Sequence, residues 1–139
     1  MYLLDTNVVS ELRHGKPNPS AAVREWAASI PQSRFFLSTI TVLELETGIL
    51  RMERKAPPQG GALRRWFEDL RLAFDGRILA FGAEAAMACA PMHVPDPKNY
   101  RDSMIAATAL THRFTLVTRN IRDFENTGAK LLNPWPTGN

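Results

Sequence analysis

Five short apolar stretches, each of strand length, are separated by segments of helical periodicity, and this alternation limits the possible folds more than any other feature of the chain. The stretches run from Tyr2 to Leu4, Phe35 to Ser38, Ile78 to Phe81, Phe114 to Thr118 and Lys130 to Leu132. Helical spacing is read between them over Ala21 to Ile30, Thr41 to Arg54, Ala62 to Phe74, Ala83 to Ala90 and Arg101 to His112. Strands that alternate with helices predict a parallel sheet covered on both faces, and hence an α/β fold.

Two breaker clusters punctuate the pattern. A-P-P-Q-G-G, from Ala56 to Gly61, reads as the turn of a helical hairpin, because Val42, Leu45, Ile49 and Met52 before it and Leu63, Phe67, Leu70 and Phe74 after it keep helical spacing. P-M-H-V-P-D-P, from Pro91 to Pro97, must be extended or turned, since proline fixes φ and restricts the residue before it. No repeat, low-complexity tract or linker divides the 139 residues, so a single domain over residues 1–139 is expected. A domain of that length buries roughly two thirds of its unfolded surface and needs no disulfide. Cys89 is the only cysteine and cannot pair within the chain. With no charged-then-apolar leader and no run of about 18 apolar residues, the expectation is a cytoplasmic protein with no membrane association.

In an open parallel sheet, ligands bind beyond the carboxyl ends of the strands, where loops converge and helix N-termini point free N–H groups at the crevice. Four acids fall at that edge. Asp5 follows the first strand directly; Glu44 lies early in the helix after the second, within S-T-I-T-V-L-E-L; Asp102 opens R-D-S-M-I-A-A-T-A-L; Asp123 follows the strand ending near Thr118. Each also has a structural reading. Thr41 and Glu44 fit a capping box, Asp102 can be an N-cap, Asn120 can cap a helix with Asp123 in its first turn, and Asp5 can cap a short helix from Thr6 to Leu12. Capping only partly accounts for Asp5, because a carboxylate at the end of a central apolar strand is costly to desolvate without a partner.

If these acids converge, their repulsion calls for a cation. Mg²⁺ or Mn²⁺ takes oxygen ligands and keeps several waters, and the chain offers no Cys/His set for zinc. Such a site lowers the pKa of a bound water and steadies a departing oxygen, two ions roughly 3.5–4 Å apart serving both ends of a phosphodiester. Thr6, Asn7, Thr118 and Asn120 are placed to orient metal waters from behind. The formal charge is +3, and 13 of the 17 basic residues are arginines, whose planar fork suits phosphate. Four metal-bound carboxylates would leave the rest of the chain at +7, which favours a polyanionic substrate. Arg13, Arg101, Arg119 and Arg122 lie nearest the expected crevice and are the candidates for phosphate contacts.

With these residues identified, the chain resembles the PIN-domain ribonucleases, and most closely the VapC toxins of bacterial type II toxin–antitoxin pairs. The resemblance rests on L-L-D-T-N-V-V-S-E, S-T-I-T-V-L-E-L-E-T-G, D-S-M-I-A-A-T-A-L, L-V-T-R-N-I-R-D-F and L-L-N-P-W in that order, and covers nearly the whole chain. It implies a three-layer α/β/α domain around a parallel sheet and Mg²⁺- or Mn²⁺-dependent endonucleolytic cleavage of RNA, with tRNA or rRNA as the substrate whose phosphates Arg13, Arg101, Arg119 and Arg122 would contact. It also implies a homodimer and a larger complex with a VapB-like antitoxin, for which the P-P-Q-G-G hairpin is either a clamp or merely structural. The family's first three acids fall on Asp5, Glu44 and Asp102, which makes these the metal ligands. Many relatives carry a fourth acid where this chain has Asn120, so that role goes to Asp123 or to Asn120. Relatives also have a short Gly-containing connection where this chain inserts P-M-H-V-P-D-P-K-N-Y, which supplies a competing Asp96; Asp102 is preferred because D-x-x-I-A-A-T-A follows it.

Other residues carry simpler expectations. Cys89 and His93 lack a third ligand and read as packing residues, His14 as a surface residue, and His112 as a partner of a helix C-terminus. Trp26, Trp66 and Phe67 have the spacing of core or dimer packing. A phospho-acceptor signalling module would need an acidic pair after the first strand and a lysine after a late one, and neither is present. A non-catalytic subunit that binds nucleic acid or a partner is the remaining alternative.

Overall fold

The first strand, β1 (Tyr2–Leu4), occupies the middle of a five-stranded sheet ordered β3-β2-β1-β4-β5, where β2 is Phe35–Ser38, β3 Ile78–Leu79, β4 Thr115–Val117 and β5 Leu131–Leu132. Every pairing is parallel, with Tyr2 opposite both Phe35 and Thr115. The computed structural model describes residues 1–136; residues 137–139 of the expected domain lie outside the described residues. Six helices accompany the strands among the described residues: α1 (Thr6–Glu11), α2 (Ala21–Ala28), α3 (Thr39–Lys55), α4 (Pro57–Ala73), α5 (Ala83–Cys89) and α6 (Tyr100–His112).

Neighbouring strand residues serve opposite faces, as the pleat requires. Leu3 and Leu116 join Ile105, Ala106, Ala109 and Ala85 in one core under α5 and α6. Leu4 and Val117 join Val8, Val23, Leu45, Ile49 and Phe67 in a second core, under α1 to α4. Two cores on two faces make three layers, and the expected α/β/α architecture is what the chain adopts. Phe67, 1 % exposed, adds about 2–3 kcal/mol of transfer free energy to the second core. The expected packing role of Trp26 is also met, since its ring lies 5.5 Å from those of Tyr2 and Phe35.

The hairpin differs from the sequence reading. P-P-Q-G-G is not a turn but the first turns of α4, and Ala56 alone separates the helices. Proline needs no amide partner at the start of a helix, so Pro57 begins one rather than breaking it. Gly60 then lets the two helices touch: a Cβ there would stand 2.5 Å from the Cα and N of Glu53. Across the same contact Arg64 forks onto Glu46 with two bonds of 2.6 Å and reaches Glu53 at 3.0 Å, holding its own guanidinium well above its usual range and the Glu46 carboxyl below its usual range. Glu46 is thus a hairpin residue. No helix among the described residues is long and apolar enough to cross a membrane.

Candidate active site

The order β3-β2-β1-β4-β5 reverses direction between β1 and β4, and a parallel sheet opens its crevice at such a point. Asp5 stands there, one residue past β1 and only 6 % exposed, its amide bonded to Val117 O at 2.9 Å. Its Oδ1 accepts from the Thr6 amide at 2.8 Å and so caps α1; its Oδ2 accepts from Thr118 Oγ1 at 2.8 Å and Asn7 Nδ2 at 3.3 Å. Burial pushes its carboxyl upward, the Thr118 and Thr6 hydrogen bonds pull it down, and the carboxylates of Glu44 and Asp123 push it up again. Asn120 supports this arrangement by donating its backbone N–H to Thr118 Oγ1 at 3.0 Å, while Asn7 Oδ1 accepts from the Arg119 amide at 3.3 Å.

Glu44 plays no part in capping. The cap of α3 is Ser38, whose hydroxyl accepts from the Thr41 amide at 3.1 Å, so the helix begins at Thr39 and carries Glu44 into its second turn. There Glu44 Oε1 accepts from Thr6 Oγ1 at 2.7 Å, and Thr6 Oγ1 stands 3.1 Å from the buried Thr41 hydroxyl. Arg101 lies 3.7 Å from its other oxygen with a largely exposed side chain, a weakly held pair.

Asp102 is likewise free of capping. Asn99 caps α6 by accepting from the Asp102 amide at 3.2 Å, which leaves the Asp102 carboxylate to point elsewhere. Its carboxyl is pushed up to about 6, first by burial, then by Asp5, Asp123 and Glu44, with Arg101 opposing. The mutual influence of these four groups is the signature of convergence: acids from four separated segments lie close enough to repel one another. Asp123, on the 3₁₀ turn Ile121–Phe124, acts on both Asp5 and Asp102, whereas Asn120 contributes its backbone amide. Asp96, the competing acid, is exposed and does not act on either group.

The donors are carboxylate oxygens backed by hydroxyls and an amide, a set that suits a hard divalent cation. Among the described residues, no group of three His, Cys, Asp or Glu side chains is placed to hold an ion by direct coordination. Magnesium commonly takes one or two protein carboxylates and completes its shell with water, so the set fits a hydrated ion reached partly through water.

The remaining candidates divide. Arg13 is half-buried beside α1, Arg101 pairs with Glu44, Arg119 lies over the Trp135 ring at 5.2 Å, and Arg122 is exposed next to Asp123. Sequence reasoning missed Ser38 and Trp135. Ser38 was detectable as a hydroxyl between an apolar strand and a helical pattern; Trp135 was not, because its place over the sheet edge depends on β5. Cys89 and His93 meet at Ser103 Oγ (3.3 and 2.7 Å), while the Lys98 amide donates to His93 Nδ1 at 3.2 Å.

A PIN domain family model matches residues 2–130. The plasmid stability protein StbB of Pseudomonas syringae pv. tomato is 36 % identical over 141 residues, covering 97 % of this chain and 99 % of its own. The VapC ribonuclease Y4jK of Sinorhizobium fredii is 34 % identical over 145 residues, covering 97 % and 98 %. The crystal structure of FitAcB from Neisseria gonorrhoeae superposes with a TM-score of 0.88 at 33 % identity, covering 99 % of this chain and 100 % of that one. The parallel sheet, the acids at its carboxyl edge and these matches over nearly the whole length agree: the chain belongs to the PIN-domain family, among its VapC ribonucleases.

Proposed function

We propose that this chain is a Mg²⁺- or Mn²⁺-dependent endoribonuclease, a single PIN domain over residues 1–139, that cleaves structured RNA (tRNA or rRNA) as the toxin of a type II toxin–antitoxin pair. The observation that carries the reading is the convergence of Asp5, Glu44, Asp102 and Asp123, where burial first, and then the charges of Asp5, Asp123 and Glu44, lift Asp102 to about 6. Only a cation bound among them relieves that repulsion without protonating them.

When bound, the ion supplies a water of lowered pKa and polarises the phosphate. Asp5, Glu44 and Asp102 would hold it, with Asp123 as the fourth catalytic acid. Thr118, Thr6 and Asn7 fix the carboxylates of Asp5 and Glu44 so that little reorganisation is needed on binding. Arg13, Arg101, Arg119 and Arg122 would take RNA phosphates. A basic side chain of a VapB-like antitoxin would block the site by placing its charge among these carboxylates, a reading that the loose approach of Arg101 to Glu44 supports. The names of the relatives, a VapC ribonuclease and a plasmid stability protein, support a toxin held by such a partner. The active form is read as a homodimer in the cytoplasm, within a larger complex when the antitoxin is present.

The test is cleavage of total tRNA and ribosomal RNA by purified protein with Mg²⁺. Replacing Asp5 or Asp102 by Asn should abolish turnover while leaving the fold intact. Normal rates in either variant would overturn the mechanism, and RNA binding without metal-dependent turnover in the natural chain would favour a non-catalytic subunit.

A further inference from the structure

Beside Glu44, a groove of about 370 Å³ has Thr6, Ser10, Arg13, Glu44, Gly48 and Trp66 in its lining. Its size falls within the range of roughly 300–1,000 Å³ typical of small-ligand sites. Thr6 and Glu44, joined by a hydrogen bond of 2.7 Å, both line it, so an occupant of the groove reaches the acidic site. Along the wall, the Arg13 guanidinium makes a single long contact, 3.5 Å to the His14 carbonyl, and no carboxylate among the described residues lies within ion-pair distance of it. Trp66, also in the lining, is half-buried and packs against the second core.

Gly48 of α3 is part of the same lining. Glycine in the interior of a 17-residue helix weakens that helix relative to alanine, and here the chain gains no close packing in return, because a Cβ at Gly48 would meet no atom within 4 Å. Gly60, on the facing helix, is the opposite case, since a Cβ there would collide with the Glu53 backbone. The bare surface at Gly48 therefore leaves room for something outside the chain.

We propose that this groove is the subsite for an RNA nucleotide flanking the scissile phosphate: Arg13 takes the flanking phosphate, Trp66 offers its ring to the base, and Gly48 lets the ribose lie against α3. The inference rests on the ribonuclease reading. A guanidinium and an aromatic ring along one groove are the components with which proteins hold single-stranded nucleic acid, the fork matching a phosphate and the ring stacking on any base. The free Arg13 charge favours a phosphodiester over an apolar peptide segment as the occupant.

The test uses the full chain with Gly48→Ala, Gly48→Leu, Gly48→Phe and Arg13→Ala. Because the position is helical and open, these glycine variants should fold, and thermal unfolding checks this independently. With Mg²⁺ and either total tRNA or a short mixed-sequence single-stranded RNA, KM should rise with side-chain volume at position 48, by about tenfold for Gly48→Phe and for Arg13→Ala, with kcat changed by no more than about twofold. Direct binding of the same RNA to Asp5→Asn protein should follow the same ranking. If the natural chain cleaves RNA and folded Gly48→Phe shows an unchanged KM and unchanged binding, the subsite is wrong and the ribonuclease reading stands. If the natural chain fails to cleave with Mg²⁺ or Mn²⁺, the ribonuclease reading fails, and the binding ranking still reports on the groove. If Gly48→Phe spares RNA but loses a protein partner, the groove docks protein and the proposal is overturned.

Discussion

Thr118 donates its hydroxyl proton to Asp5 Oδ2 across 2.8 Å, joining two buried residues 113 positions apart in the sequence. The bond ties the ends of β1 and β4 together at the point where ligands enter such sheets, and it holds the Asp5 carboxyl down against the upward push of burial. Thr118→Val keeps the shape and removes the donor. Hydrogen bonds to charged groups contribute about 1.5–3 kcal/mol, so a loss of about 2 kcal/mol is expected near neutral pH. The loss should shrink in acid, where Asp5 is protonated. Urea unfolding of both proteins at neutral and acidic pH checks this, and an equal loss at both would deny the charge-assisted role.

Asp102 makes the metal-free protein less stable as pH rises. Its folded value of about 6 lies above its ordinary 3.8, so the folded chain holds the proton more tightly than the unfolded one. The stability it contributes is complete below the ordinary value and is lost as pH rises through about 6; Asp5, also raised, acts with the same sign. Asp102→Asn should stabilise the metal-free protein by about 1 kcal/mol near pH 7, after discounting for solvent screening of a half-exposed group, and should flatten the profile between about pH 4 and 7. Denaturant midpoints across that range decide it.

Mg²⁺ should reverse this destabilisation. An ion at about one hundred times its Kd stabilises by about 2.7 kcal/mol if it binds only the folded state. The Tm of the natural chain is therefore expected to rise with Mg²⁺ and to fall back with a chelator. Asp5→Asn should lose most of the shift. A matched ionic strength of KCl giving the same rise would show screening rather than a bound ion.

One substitution, made at two glycines of the same hairpin, is expected to have opposite signs. Gly60→Ala forces a Cβ to within 2.5 Å of the Glu53 backbone and should cost about 1–3 kcal/mol or more. Gly48→Ala meets open space within a helix and should stabilise by about 0.5–1 kcal/mol. Thermal unfolding of the two variants side by side is the measurement, and a stabilised Gly60→Ala would disprove the close helix contact.

How much was legible in the sequence varied with the range of the interaction involved. The strand–helix alternation identified the parallel α/β sheet, because apolar runs between amphipathic segments have few other ways to bury both faces. Asp5 also stood out from local pattern alone, being a carboxylate at the end of an apolar strand. Glu44 did not: its capping-box spacing with Thr41 was a coincidence, visible only once Ser38 was seen to start the helix earlier. P-P-Q-G-G misled for a similar reason, since its prolines and glycines look like a turn until the close approach to Glu53 shows why Gly60 is needed within a helix.

The order of apolar and polar residues by itself determined which segments form strands and helices and that the sheet is parallel, since periodicity is a local property that survives without knowledge of neighbours. Only the tertiary structure decided that Asp123 comes near enough to act on Asp5 and Asp102, that Thr118 donates to Asp5 and Thr6 to Glu44, and that Gly48 faces open space. The reason is physical: repulsion between carboxylates and the room left beside a helix depend on distances through space, and segments about a hundred residues apart carry no local trace of how near they come.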